Sequence, residues 1–423
     1  MNKRKQNKPF KTNKKQKKQY RRLVVLFAEI FLLVVIVGVF LLWSLKPEQE
    51  QPQHVIVMEE TIPELTAEEV QEERVEEITN SRYGAELADT AYCKENHIYA
   101  KEALREDEVI LAFAGDVSFA EGYANMAALL QRDGEIQKCF DEFLLMEMHN
   151  ADIFMVNNEF TYTDRGAPTE GKTYTFRAKP ESVKYLGEMG VDIVSLANNH
   201  AYDYGEVSLL DTLDVLKKAK VPYVGAGRDI EEAMKPTYFV VNDIKIAYVS
   251  ATQIEQGDNP DTVGAGENTA GVFRCWNNDR ICEVVKEAKT NADFVVVYVH
   301  WGTESTDVLH WAQVDQAAKL VEAGAHLIVG DHPHCLQEIA YVDSVPVIYS
   351  MGNFWFNSKT QDTGILKATI NEEGLQSLQF VPSIQSGCKT TIAPDGERER
   401  ILDYIQSLSS TITIDNAGYI TKR

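Results

Sequence analysis

The segment Val191-Asp-Ile-Val-Ser-Leu-Ala-Asn-Asn-His-Ala-Tyr-Asp-Tyr-Gly205 decides the predicted fold of this chain. Its apolar run, Ile193 to Ala197, is bounded by polar residues and is typical of a strand buried on both faces. The run delivers Asn198, Asn199 and His200 at the carboxyl end of the strand, where open α/β sheets bind their ligands. An amide oxygen can bind a metal, and an imidazole can bind a metal or donate a proton. For this segment alone, a polar turn with a capping Asn is an equal alternative.

The same arrangement recurs along the chain, because several apolar runs end in side chains that can bind a metal. Including the first segment, five predicted strand ends carry them: Asp116, Glu159, Asn199 with His200, His300, and His332 with His334. Helical patterns separate several of these runs, at 207–219, 280–288 and 312–323. Two further runs flank a turn at 371–374 and predict an antiparallel hairpin, and residues 399–408 predict a last helix. Alternating strands and helices predict an α/β sheet protein.

Five such strand ends in succession indicate a metal site. One carboxylate after a strand is usually a helix cap, and a lone histidine is usually structural, but neither explanation covers the whole series. The rigid Pro333 between His332 and His334 would hold two imidazoles apart, so that each faces a different ion. Mixed carboxylate, amide and imidazole ligands suit Mn²⁺, Fe²⁺ or Zn²⁺ better than Ca²⁺. Two such ions about 3.5–4 Å apart can polarise a scissile oxygen and supply a hydroxide.

The composition argues against one class of partner. The chain has 423 residues, a formal net charge of −22 and an apolar fraction of 44%, which is enough for a sizeable core. All but one of its 64 acidic residues lie beyond residue 46. A surface this acidic repels phosphate backbones, so we expect no nucleic-acid binding.

The N-terminal sequence predicts a membrane anchor. Residues 1–22 contain eleven Lys or Arg residues and no acidic residue, which is typical of a cytoplasmic tail. Residues 23–43 are apolar except for Glu29 and Gly38, and they are long enough to span a bilayer core of about 30 Å. A cleaved signal peptide is the alternative, but no small-x-small cleavage site follows the apolar run. We therefore expect a single-pass signal anchor with the rest of the chain outside the cell.

The remaining sequence divides into three predicted parts. Residues 44–107 are rich in acids and breakers and predict an acidic stalk. The α/β pattern occupies residues 108–385, and residues 386–423 form a C-terminal extension. The six cysteines contain no CxxC pair, and local spacing favours Cys275 with Cys282 if a disulfide forms. We expect most of the other cysteines to be small core residues.

A series of motifs in a fixed order gives the pattern its specificity. The motifs are Gly115-Asp116, Asn157-Asn158-Glu159, Phe176-Arg-Ala-Lys-Pro180, Ala197-Asn-Asn-His200 with Asp203-Tyr-Gly205, His300-Trp-Gly302, His332-Pro-His334 and Tyr349-Ser-Met-Gly-Asn-Phe354. With them, residues 108–385 resemble the CapA/PgsA-type poly-γ-glutamate capsule biosynthesis proteins of the calcineurin-like metallophosphoesterase superfamily. The resemblance implies a fold of two packed mixed β-sheets flanked by helices.

The resemblance also implies roles for individual residues. A first metal would be held by Asp116 and His334, a second by Asn199, His300 and His332, and Glu159 would bridge the two ions. His200 resembles the residue that protonates the leaving oxygen, and Asp203 would orient it. Charge, and not the resemblance, suggests Arg177 and Lys179 as contacts for an anionic substrate, because the rest of the protein is acidic.

Two positions depart from the superfamily pattern. The first motif is usually Asp-x-His, whereas this chain has Asp116-Val-Ser118. Glu159 stands where the superfamily usually has a bridging Asp, although Glu fits the capsule-related branch. A serine hydroxyl is a weaker ligand than imidazole, so we expect the first ion to bind less tightly than the second.

Three functions are compatible with these features. The leading hypothesis is a membrane-anchored, extracytoplasmic component of poly-γ-glutamate synthesis or export, working with other synthase subunits on an anionic polymer. The alternative is an extracellular metal-dependent hydrolase of a phosphoester or another cell-envelope bond, unconnected to capsule. A binding module with a degenerate site would follow if no metal binds.

Overall fold

The strand pattern produces two β-sheets that pack face to face. The computed structural model describes residues 81–255 and 262–423. The first sheet has the strand order β1-β9-β10-β12-β13-β15-β14, and the second has the order β19-β18-β17-β2-β3-β6-β7, with β16 paired to β2. Both sheets mix parallel and antiparallel pairs; β10, β12, β13 and β15 are parallel in the first, and β2, β3, β6 and β7 are parallel in the second.

The strands that build the sheets and smaller ladders of the described chain have the following bounds. They are β1 (Ile98–Ala100), β2 (Val109–Val117), β3 (Ile153–Asn158), β4 (Thr161–Tyr162), β5 (Arg177–Ala178), β6 (Ile193–Ser195), β7 (Tyr223–Val224), β8 (Ala226–Gly227), β9 (Thr237–Val241), β10 (Ile244–Thr252), β11 (Gly271–Val272), β12 (Phe294–His300), β13 (Leu327–Asp331), β14 (Ile339–Val342), β15 (Val345–Ile348), β16 (Asn353–Trp355), β17 (Gln361–Asn371), β18 (Gly374–Ser386), β19 (Lys389–Ile392), β20 (Ile412–Ile414) and β21 (Ile420–Lys422).

Most of the helices cover the outer faces of the two sheets, whereas the last one packs against the core between them. The helices are α1 (Gly84–Ala88), α2 (Thr90–Glu95), α3 (Ala124–Gln131), α4 (Glu142–His149), α5 (Lys184–Glu188), α6 (Glu206–Ala219), α7 (Ile230–Met234), α8 (Asp279–Asn291), α9 (Trp311–Ala323) and α10 (Asp395–Leu408). Apolar residues of α3 to α6 pack against the second sheet, and those of α8 and α9 pack against the first. In the part of the chain that the structure describes, no helix is long and apolar enough to cross a membrane.

Strand β2 shows why the central runs are continuously apolar. Its alternate residues point to opposite faces of the sheet. Val109, Leu111 and Phe113 contribute to the core between the sheets, whereas Ala112 and Ala114 contribute to the core under the helices. The ring of Phe113 lies 6.4 Å from that of Tyr248 in the first sheet. The two-sheet α/β architecture expected from the sequence is therefore confirmed.

The folded domain extends beyond both boundaries drawn from composition. Residues 84–107, assigned to the acidic stalk, contribute α1, α2 and β1, and β1 pairs with β9 in parallel. The buried Lys245 side chain pairs with Glu86 at 2.6 Å. In the extension after residue 386, Ile401 and Ile412 are buried in the core between the sheets. Composition hid these elements because their acids lie outside while a few apolar residues pack inside.

Two other expectations meet the structure differently. The predicted tail and anchor, residues 1–43, lie outside the described residues. All six cysteines are free thiols, so the disulfide favoured by spacing is not formed. Cys275 is buried against Gln316, whereas the Cys282 thiol contacts the carbonyl of Lys319, and each is therefore engaged by helix α9 instead of by the other.

Candidate functional site

The predicted strand ends converge at one edge of the two sheets. Parallel strands present their carboxyl ends at the same edge, and β2, β3 and β12 end in or just before Asp116, Glu159 and His300. Ligand atoms of these three buried residues lie within 4.8 Å of one another. Residues far apart in the sequence thus form one cluster, to which both sheets contribute.

An asparagine holds the two carboxylates of the cluster in place. The Asn157 side-chain amide donates hydrogen bonds to Asp116 Oδ1 and Glu159 Oε2, each at 2.9 Å. Asn198 in turn donates to Asn157 Oδ1 at 2.9 Å, which fixes the orientation of that amide. The sequence motif contains Asn157 without indicating its role; its position two residues before Glu159 was the available signal.

The residues expected to hold the second ion lie together. His300 Nε2 is 2.8 Å from Asn199 Oδ1 and 3.0 Å from His332 Nδ1. The other ring nitrogen, His300 Nδ1, is 2.8 Å from Asp331 Oδ1. A carboxylate at that nitrogen fixes the ring orientation, as is usual for metal-binding histidines. Asp331 was missed from the sequence because the adjacent histidines dominated the interpretation of its motif.

The residues expected to hold the first ion also meet. His334 Nδ1 is 3.0 Å from Asp116 Oδ2, and His334 Nε2 is 3.9 Å from Glu159 Oε1. Asn353, from the strand beside Asp116, places its side-chain oxygen 2.9 Å from His334 Nδ1. The Ser118 hydroxyl accepts a hydrogen bond from Ala120 N at 3.3 Å. Asn353 was not predicted, although it lies in a quoted motif.

The His-Pro-His turn adopts an unusual backbone conformation. His332 and His334 both have positive φ, at 93° and 58°. Residues other than Gly rarely have a positive φ, and those that do concentrate at functional sites. The turn directs His332 to His300 and His334 to Asp116, with the ring centroids of the two turn histidines 6.0 Å apart.

A second hydrogen-bonded group lies beside the cluster. His200 Nδ1 is 2.8 Å from Asp203 Oδ2, and His200 Nε2 is 3.8 Å from Glu159 Oε1. Lys172, whose side chain is 7% exposed, pairs with Asp203 Oδ1 at 2.6 Å and donates to the backbone oxygen of Asn199. One imidazole nitrogen is therefore oriented by a carboxylate while the other faces the cluster. Lys172 was not predicted because it lies in a loop of ordinary polar composition.

The two predicted substrate-binding residues lie outside this hydrogen-bonded network. The guanidinium of Arg177 stacks over the ring of Tyr204 at 4.5 Å from its centroid. Lys179 is half exposed and lies 3.8 Å from Glu121. Arg177 follows Phe176, whose ring centroid is 4.3 Å from that of His200. Arg177 is therefore next in sequence to a residue of the site, whereas Lys179 lies at the surface.

Burial and crowding separate the pKa values of the carboxyl groups. Burial would raise the pKa of Asp116, but the hydrogen bond with His334 and the charges of the nearby histidines hold it below its usual value. Burial together with the charge of Asp116 raises the pKa of both Glu159 and Asp331 well above their ordinary values. Three carboxyl groups this close cannot all carry a negative charge unless a cation neutralises them.

Burial favours the neutral form of three of the four imidazoles, whereas at His334 burial is outweighed by the hydrogen bond and charge of Asp116, which raise the pKa. Burial lowers the pKa of His332 to about 3 and that of His300 well below 6.5, with the neighbouring histidines contributing in the same direction. Burial lowers the pKa of His200 as well, against the opposing charge of Asp203. A neutral imidazole is the form that binds a metal.

The residues present fit a divalent metal ion. Glu159 Oε1 and Asp331 Oδ2 are buried and have no hydrogen-bond partner among the described residues. Buried carboxylate oxygens are rarely left unpartnered, because the lost hydration costs several kcal/mol. Oxygen and neutral imidazole donors in one buried cluster are the ligand set of Mn²⁺, Fe²⁺ or Zn²⁺. The structure therefore supports metal binding here without identifying the ion.

Comparisons with known proteins agree with the motifs. Residues 110–358 match the family model described as bacterial capsule synthesis protein PGA_cap. The capsule biosynthesis protein CapA of Bacillus anthracis is 32% identical over 238 residues, covering 54% of this chain and 57% of that protein. The PGA biosynthesis protein CapA of Bacillus subtilis (strain 168) is 33% identical over 215 residues, covering 50% and 55%.

The matched region is part of each relative's length. The chain spans a little more than half the length of these two curated relatives. Among solved structures, protein TT1561 of Thermus thermophilus overlaps with a TM-score of 0.35 and 11% identity, covering 63% of this chain and 99% of that one. The family assignment therefore rests on the sequence matches.

Proposed function

The chain belongs to the bacterial capsule synthesis protein PGA_cap family, and we propose that it is a membrane-anchored, extracytoplasmic component of poly-γ-glutamate synthesis or export. Two relatives are named capsule biosynthesis protein and PGA biosynthesis protein, and these names support poly-γ-glutamate as the polymer. Under this proposal the partners are the other subunits of a poly-γ-glutamate synthase and the anionic polymer itself.

The proposed location follows from the N-terminal sequence. The 21-residue apolar run after eleven positive charges supports a single-pass anchor with the folded domain outside. Protease added to intact cells should then remove the C-terminal domain and spare the N-terminus. A domain that resists until the membrane is opened would contradict this orientation.

The observation that carries the proposed chemistry is the cluster of Asp116, Glu159 and His300, in which Glu159 Oε1 has no hydrogen-bond partner among the described residues. We propose a metallophosphoesterase-like centre in which Asp116, Glu159 and His334 hold one ion and Glu159, Asn199, His300 and His332 hold another. The bound ions would act as Lewis acids toward a substrate oxygen. The contact of His300 with Asp331 and the hydrogen bond from Asn157 to Glu159 would orient these two side chains toward the ions.

A second candidate function is supported by His200. Its ring is oriented by Asp203 and faces Glu159, the arrangement expected of a general acid beside a metal centre. A hydrolase acting on a phosphoester or another cell-envelope bond would use the same residues without any link to capsule. Arg177, one residue from Phe176 at this site, is the candidate contact for an anionic group.

Complementation distinguishes the two functions. A poly-γ-glutamate-producing strain whose own PGA_cap-family gene has been deleted should make the polymer again when it expresses the wild-type chain. The His300→Ala variant should not restore polymer, whereas Glu147→Gln, which alters an ion pair with Lys367 elsewhere, should. Full polymer production with His300→Ala, at equal protein level, would refute a role for the cluster in capsule formation. Phosphoester hydrolysis by a chain that does not restore polymer would favour the second candidate.

A further inference from the structure

A cavity of about 580 Å³ lies between the segment that follows β10, strand β11 and the start of α8. Ligand sites usually measure about 300–1,000 Å³ and combine apolar walls with a few polar groups. Phe273, Val272 and Ile230 form its apolar part, and the indole of Trp276 contributes an aromatic wall. None of these residues belongs to the cluster or to the His200 group.

The cavity lies at the same sheet edge as the cluster. Thr252, the last residue of β10, is paired with His300 on one side and with Arg274 on the other. Neighbouring strands are about 4.8 Å apart, so the backbone of Arg274 lies about 10 Å from that of His300. A short oligomer could therefore occupy the cavity and the cluster together.

The charged groups in the cavity have both signs. Arg274 pairs with Glu255 at 2.9 Å, so these two charges offset each other. Asp279 and Arg280, adjacent at the start of α8, also line the cavity, and neither has an ion-pair partner within residues 81–255 and 262–423. A purely anionic ligand would meet Asp279 as well as Arg280. A ligand with an ammonium and a carboxylate on one carbon satisfies both.

From this pairing we infer that the cavity binds an α-amino-acid end group, namely the amino-terminal residue of a γ-linked glutamate chain. The inference rests on the proposed function for the choice of polymer. Interior residues of such a chain carry only carboxylates, whereas the terminal residue alone also carries a free ammonium. Arg280 binds the carboxylate, Asp279 binds the ammonium, and the Trp276 ring packs against the end group, where a cation is favourable. The protein would thus act from the chain end.

The ordinary role of Asp279 is different and can be tested separately. An acidic residue in the first turn stabilises α8 through the helix dipole, whatever the cavity binds. In that case Asp279→Asn would lower thermal stability slightly and leave ligand selectivity unchanged. Selectivity between a free and a blocked amino end is therefore the informative readout.

The test is calorimetric titration of the full-length protein in detergent with a γ-linked glutamate trimer and with its N-acetylated form. Wild type should bind the free trimer about tenfold or more tightly than the acetylated one, since each lost charge-assisted bond costs about that factor. Trp276→Ala and Arg280→Gln should weaken binding of the free trimer about tenfold, and Asp279→Asn should abolish the preference. Arg398→Gln, on α10, is the matched control and should bind as wild type.

The outcomes separate this inference from the proposed metal centre. His300→Ala removes a proposed metal ligand and should keep the preference for the free trimer. The binding test of the cavity is therefore informative even if the proposed metal centre is wrong. Equal binding of free and acetylated trimers by wild type would overturn the inference. So would absent binding of both, or a preference that persists in Asp279→Asn.

Discussion

Replacing Glu159 with Gln should stabilise the metal-free protein and weaken the stabilisation that a bound metal ion provides. In the metal-free protein, burial and the charge of Asp116 raise the pKa of Glu159 well above 4.5. At pH 7 the unfolded chain has this group ionised, so folding must protonate it or bury its charge. At about 1.36 kcal/mol per pH unit, protonating a group of pKa 4.5 at pH 7 costs about 3 kcal/mol. Gln does not carry this cost, and we expect Glu159→Gln to stabilise the metal-free protein by about 1–3 kcal/mol.

The gain should depend on pH in a defined direction. When folding raises the pKa of a carboxyl group, the protein is most stable below the pKa of that group in the unfolded chain. The free energy of unfolding then falls as the pH rises above that value. The advantage of Gln should therefore fall below about 1 kcal/mol at pH 5. With metal the order should reverse at pH 5, where the advantage of Gln is small, because Gln is the poorer ligand. An ion at 100 times its Kd stabilises wild type by about 2.7 kcal/mol, and a hundredfold weaker Kd would leave about 0.4 kcal/mol.

Thermal unfolding of wild type and Glu159→Gln, with and without chelator and at pH 5 and pH 7, measures the difference in stability under each of these four conditions. Each kcal/mol should shift Tm by about 2 °C for a domain of this size. Glu147→Gln is the matched control, because its ion pair with Lys367 is partly exposed and worth at most about 1 kcal/mol. A Glu159→Gln variant that is less stable without metal and keeps the full metal-induced shift would show that Glu159 serves a structural network instead.

Three further predictions concern neighbouring residues. His200→Ala should retain its metal while any hydrolysis falls about 10²–10⁴-fold, as measured by metal analysis and phosphoester assay; metal loss would make His200 a ligand. Lys172→Met should lower the unfolding free energy by about 3–5 kcal/mol, because it removes the ammonium that pairs with the buried Asp203 carboxylate; urea unfolding that shows a loss of less than about 1 kcal/mol would contradict this. Ser118→His should tighten the weaker of two ion sites in a Mn²⁺ titration, and unchanged stoichiometry and affinity would count against the interpretation of the first motif.

The strand ends were predictable because one physical rule places them. Asp116, Glu159 and His300 each follow an apolar run, and parallel strands bring such ends to a common edge. The rule needs only local sequence, so it predicted the cluster before any contact was known. The alternation of runs and helical patterns gave an α/β sheet protein, whereas the two packed sheets were expected only from the family resemblance.

Residues that act through long-range contacts were not predictable in this way. Lys172 meets Asp203 across a loop, and Asn353 meets His334 only because β16 pairs beside β2. Neither contact leaves a periodic signal. The acidic composition of residues 84–107 likewise concealed β1, because three residues of an edge strand contribute too little apolar pattern to outweigh their charged neighbours.

Metal content is the most direct test of the account. Full-length protein purified without chelators, dialysed and analysed for Mn, Fe and Zn should contain one tightly held ion per chain, with a second appearing only in excess metal. His300→Ala should lose the tightly held ion, because the proposed centre uses this imidazole for that ion alone, while Glu147→Gln should match wild type. Wild-type protein that holds no ion under any of these conditions, or a His300→Ala variant with the same metal content as wild type, would contradict the proposal that this buried cluster is a metal centre.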